Sequence, residues 1–105
     1  MPDNNSLLEK LDGLVSRYEE VATLITDPSV IADQERYVRL TREYKDLDDI
    51  MKARKKYVTC LQSINEAKDI LANESDADLK EMAREELQTN ELLQPKIEEE
   101  IKIAL

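Results

Sequence analysis

The chain is 105 residues long, enough for one small domain, and carries one glycine, no histidine and a net charge of −9. So few turn formers exclude a β-sheet fold, and the acidity excludes broad wrapping of nucleic acid, because phosphates reward clustered lysine and arginine. The missing histidine, the lone cysteine and the single glycine exclude imidazole catalysis, a structural zinc site and a glycine-rich phosphate cradle, so no cofactor or metal is expected.

In chain order, the opening MPDNNS is polar, and residues 1–5 are expected to be disordered. With no long apolar run in the chain, neither a signal peptide nor a membrane span is expected. Ser6 and Glu9 have the spacing of a capping box. Leu7, Leu11, Leu14, Tyr18, Val21 and Ile25 then recur every three or four residues, the apolar face of a first helix over about 7–26. Gly13 lies off that face and costs up to about 1 kcal/mol relative to alanine.

TDPS, residues 26–29, interrupts the pattern. Proline disfavours helix at Asp27 before it, while Asp27 can cap a new turn with Pro28 in its first position. Val30 and Ile31 are expected to tuck that short turn against the bundle. A second helix follows over about 32–72, close to 60 Å long at 1.5 Å per residue. Its stripe reads Tyr37, Leu40, Tyr44, Leu47, Ile50/Met51, Tyr57/Val58, Leu61, Ile64, Ala67 and Leu71, and drifts by about one residue near the middle. Ser75 and Asp78 resemble a second capping box, opening a third helix over about 76–105 on Leu79, Met82/Ala83, Leu87, Leu93, Ile97 and Ile101. Pro95 lies inside it and predicts a kink or break near Leu92 to Gln94.

These segments specify an all-α antiparallel bundle of long, coiled-coil-like helices. The first helix folds back on the N-terminal half of the second and the third on its C-terminal half, since short connections make antiparallel neighbours. The second helix is rich in bases and the third in acids, so flanking ion pairs are expected between them. The closing KIEEEIKIAL keeps its helical period with no stop signal, and the chain reads as a piece excised from a longer one.

Little here bears on chemistry. Cys60 reads as a small apolar filler in a reducing cytosol. The acid pairs Asp48–Asp49, Glu85–Glu86 and Glu98–Glu100 read as solvated charges on helix faces. Tyr18, Tyr37, Tyr44 and Tyr57 lie on or beside apolar positions, which favours core packing with the hydroxyl at the rim over base stacking. The cluster KARKK, with Lys52, Arg54, Lys55 and Lys56 where the apolar stripe is thinnest, is the candidate contact for RNA phosphate or an acidic partner; the competing reading is an exposed face balanced by acids.

The stretch DPSVIADQERYVRLTREYKDLDDIM, with LLEKLDGLVSRYEEVATLI before it and DLKEMAREEL and IEEEIKIAL after it, resembles the N-terminal domain of bacterial class I peptide chain release factors. The likeness runs from about Leu7 to the end and leans toward the release-factor-one branch, which reads UAA and UAG. It implies a cytoplasmic, ribosome-bound protein concerned with translation termination. In that family the helical domain lies toward the stalk base of the large ribosomal subunit and bears on the GTPase that recycles the factor. The Gly-Gly-Gln motif that promotes peptidyl-tRNA hydrolysis and the Pro-x-Thr-type codon reader belong to later domains. Neither motif is present, so no catalytic residue carries over and a non-enzymatic ribosome-interaction module is expected, with no membrane or small-molecule partner. The alternatives are a free-standing coiled-coil adaptor or scaffold, and an RNA-binding helical hairpin resting on KARKK.

Overall fold

Helix accounts for nearly the whole of the computed structural model, which describes residues 4–105. The elements are α1 (Asn4–Leu24), α2 (Pro28–Ile31), α3 (Gln34–Asn73) and α4 (Ala77–Ala104), with no strand among the described residues. They divide into two compact units, one reaching to Arg54 and the other spanning Lys55–Leu105, with α3 contributing to both.

Helix α1 starts earlier than its periodicity suggests. It already includes Asn4 and passes through Ser6, so the Ser6–Glu9 capping box does not form: a cap residue has a non-helical backbone, and Ser6 is already helical. Of the stretch expected to be disordered, Asn4 and Asn5 are helical, and residues 1–3 lie outside the described part. At its other end α1 stops at Leu24, two residues before the expected boundary, in a turn closed by the Thr26 amide on the Thr23 carbonyl (3.1 Å).

The α1–α3 connection follows local chemistry closely. Asp27 is extended (φ −75°, ψ 124°) and its carboxylate accepts from the Ser29 amide and hydroxyl, both at 2.8 Å, with Pro28 opening α2. Val30 is fully buried, whereas Ile31 is left half exposed. Asp33 accepts from the Arg36 amide (3.3 Å) and thereby sets the start of α3 at Gln34 instead of residue 32.

In the first unit α1 and α3 run antiparallel: Asp12 near the start of α1 meets Arg54, whereas Arg17 and Tyr18 further along it meet Glu43 and Tyr44, earlier in α3. Leu11, Val21, Val30, Leu40, Leu47 and Ile50 form the core. In the second unit Tyr57, Cys60, Ile64 and Ala67 of α3 pack with Ala83, Ile97 and Ile101 of α4, again antiparallel, since Cys60 meets Asn90 and Tyr57 meets Glu98. Leu61, placed on the stripe by spacing, is only half buried.

Three expectations for α4 need correction. Its N-cap is Asp76, not Ser75: the Asp76 carboxylate accepts from the amides of Asp78 (2.9 Å) and Leu79 (3.1 Å). Pro95 does not break the helix, which continues to Ala104. Proline removes the bond to the Glu91 carbonyl, but both residues lie on the exposed side, where water can satisfy that oxygen, and burial of Ile97 and Ile101 holds the following turns in place. Leu93 is 42% exposed, because half-buried Asn90 and Gln94 occupy the seam there.

Candidate functional site

Side chains with chemical character gather in two networks, one in each unit. In the first, Tyr18 and Tyr44 stack with ring centroids 5.2 Å apart and an interplanar angle of 12°. Their hydroxyls lie 3.3 Å apart, and the Tyr18 hydroxyl donates to Asp48 Oδ1 at 2.8 Å. Lys52 Nζ approaches the other oxygen of Asp48 at 3.1 Å. Hydrogen bonding with the Tyr44 hydroxyl and the Asp48 carboxylate pushes the Tyr18 pKa up. Tyr18 and then Lys52 hold Asp48 below the usual carboxylate range, and Asp48 in turn raises Lys52. Beside the stacked rings, Arg17 grips Glu43 with both prongs of its guanidinium, Nε to Oε2 at 2.6 Å and Nη2 to Oε1 at 2.7 Å. That pairing lowers the Glu43 pKa and raises that of Arg17.

In the second unit Tyr57 is fully buried, and its hydroxyl donates to Glu98 Oε2 at 2.8 Å, an oxygen that also receives Gln94 Nε2 at 3.1 Å. The Cys60 thiol donates to the Asn90 carbonyl at 3.3 Å. Burial, with the Glu98 charge nearby, pushes the thiol pKa up, which marks it as packing rather than nucleophile. Asp48 and Glu98, expected to be plain solvated charges, are therefore the acceptors on which two packed tyrosines rest. No spacing rule in the sequence separates them from their acidic neighbours; what distinguishes them is a tyrosine on the facing helix.

The four residues of KARKK have different fates. Lys52 pairs with Asp48, and Arg54 Nε donates to Asp12 Oδ1 at 2.9 Å. Arg54 thus fills, with its partner, the thin point of the stripe between Ile50 and Tyr57. Lys55 and Lys56 are exposed and make no ion pair among the described residues. Nor does any ion pair among the described residues join α3 to α4, contrary to the charge pattern: fixing two long exposed side chains costs about as much as a surface pair returns.

A shallow groove of about 580 Å³ runs along α3 between Gln34 and Asp46, past Val38, Arg39 and Arg42. Its mixed charges are open to solvent and favour no single ligand. Among the described residues no histidine, cysteine or carboxylate group is arranged to hold a metal ion, and no helix is long and apolar enough to cross a membrane. What the geometry offers is surface for contact, on a scaffold whose polar networks fix how the helices register.

Comparison with known proteins gives this scaffold a family. The PCRF domain matches residues 14–105. The chain is 68% identical over its full length to peptide chain release factor 1 of Bacteroides fragilis and 65% identical to that of Bacteroides thetaiotaomicron. Over 94% of its length it is 42% identical to peptide chain release factor 1 of Flavobacterium psychrophilum. It spans 28% of the length of each of these relatives. No solved structure matches it. With the domain match covering all but the first thirteen residues and the alignments lying in the N-terminal part of the relatives, the chain belongs to the PCRF domain family of bacterial peptide chain release factors.

Proposed function

We propose that this chain is the non-catalytic N-terminal module of a peptide chain release factor that ends translation at UAA and UAG in the cytoplasm. The observation that carries the reading is the alignment of the whole chain with release factor 1 relatives at 68% identity. In this reading the module contacts the ribosome on the large subunit, toward the stalk base, and bears on the GTPase that recycles the factor.

The non-catalytic role is supported by composition. Ester hydrolysis on the ribosome needs a positioned water and a donor aimed at the developing oxyanion. One glycine precludes a Gly-Gly-Gln motif, and no histidine is available as a base. Of the basic cluster, Lys55 and Lys56 are the better candidates for RNA phosphate or an acidic partner, because Lys52 and Arg54 already hold carboxylates.

The test adds purified chain to ribosomes holding a labelled peptidyl-tRNA at a stop codon. No label above the no-factor blank is expected, and a large excess should slow an intact release factor only weakly, since one module lacks the linkage that makes several contacts act together. Release above the blank overturns the non-catalytic assignment. Unchanged ribosome binding by a release factor from which this module has been deleted overturns the ribosomal one.

A further inference from the structure

The outer flank of α4 carries apolar surface that its own fold does not use. Leu79, Met82 and Leu93 are 47%, 65% and 42% exposed. With Glu86 they fall at intervals of three, four and seven residues, a single stripe beside the buried line of Ala83, Ile97 and Ile101. The core needs only that buried line, so the neighbouring stripe is free to receive something else.

Charge says what that is. Helix α4 holds eight acidic residues against four basic ones. Glu86 lies within the stripe, and Asp78, Glu85 and Glu100 border it, with Lys96 the one base on that edge. None of these four carboxylates makes an ion pair among the described residues, while Arg84 is paired with Glu81 on the opposite flank. A second copy of the chain would bring the same acids against each other, and nucleic acid would meet them with phosphates; both are repelled. An apolar stripe lined by unpaired carboxylates matches a helix with leucine-like anchors and flanking lysines or arginines.

We propose that the Leu79–Met82–Leu93 stripe of α4 docks a basic amphipathic helix of a protein partner. The inference stands on this face alone and does not depend on the release-factor reading.

The probe is a fluorescent peptide with leucines at helical spacing and lysine and arginine on both flanks, titrated into the full chain. Its control is a peptide of identical composition scrambled to destroy the amphipathic face. The designed peptide is expected to bind at least about tenfold more tightly than the scrambled one, to shift amide resonances between Leu79 and Leu93, and to weaken with salt. Met82→Glu with Leu93→Glu should weaken it about tenfold, whereas Leu92→Glu, equally exposed but off the stripe, should not. Equal binding of the scrambled peptide, or equal loss in the Leu92 variant, shows generic attraction to an acidic protein and overturns the proposal. So does a sedimenting dimer of the chain that the Met82/Leu93 pair of substitutions dissolves. The resonance map is read on the unaltered chain, so it decides the matter even if a variant folds poorly.

Discussion

Tyr18 and Tyr57 solve one problem in two units: a large ring packs between helices while its hydroxyl reaches a carboxylate at the rim, Asp48 in one case and Glu98 in the other. Packing and hydrogen bonding can be separated by substitution. Tyr57→Phe should keep the ring and cost about 1 kcal/mol, the net worth of a hydrogen bond, whereas Tyr57→Ala should cost about 3–5 kcal/mol through the cavity it leaves. Urea denaturation of the two variants distinguishes them, and equal losses would mean that the ring contributes little. The lowered pKa values of Asp48 and Glu43 have a definite sign. A carboxylate held below its ordinary value contributes stability that is complete above that value and is lost as pH falls toward the lowered one. The urea midpoint should therefore drop on acidification through and below the usual carboxylate range, and Asp48→Asn should flatten that dependence. Cys60 acts in the opposite sense: its raised pKa favours the neutral thiol, so stability contributed by the buried thiol erodes as pH rises past the ordinary thiol range.

Within the helices, two backbone positions are weaker than their surroundings require. Gly13 lies inside α1, and a Cβ placed there would meet nothing within 4 Å. Gly13→Ala should therefore stabilise the chain by about 0.5–1 kcal/mol, since it restricts the unfolded state without a clash. Pro95 lies in α4 without ending it, so Pro95→Ala should restore a backbone hydrogen bond and raise stability by up to about 3 kcal/mol. Thermal melts read both, and a loss in either would reveal a packing role absent from the present geometry. The seam itself is tested by contrast. Ile64→Ala, at a 6% exposed position, should cost about 2–5 kcal/mol, while Leu92→Ala, at 65%, should stay within about 0.5 kcal/mol.

At the scale of the molecule, α3 is the element that neither unit can do without. Its buried residues recur from Leu40 to Ala67, first against α1 and then against α4. The circular dichroism spectrum of the chain should be that of an almost wholly helical protein, and appreciable β-structure would contradict the fold. Long helices that serve two neighbours in turn carry little one-sided amphipathicity over their full length. This is why α3 is better recognised in halves than as a whole.

Periodicity and turn chemistry alone determined that the chain is helical, where its elements lie to within two or three residues, that Asp27 and Pro28 start a short turn, and that consecutive long helices pair antiparallel. These features are legible because each depends on neighbours within a turn or so: three-to-four spacing, a cap, a proline. The likeness to release factors was legible for a related reason, since such local patterns persist along the chain. Tertiary structure alone decided which of many carboxylates matter. Asp48, Glu98 and Asp12 look like any acid on a helix, and only the facing Tyr18, Tyr57 and Arg54 set them apart. It also placed Asn90 and Gln94 in the seam ahead of Leu93 and let α4 run through Pro95, because burial on a neighbouring helix outweighs one lost hydrogen bond. A lone sequence records what each residue prefers; which preference prevails is fixed by the partner that folding brings opposite it.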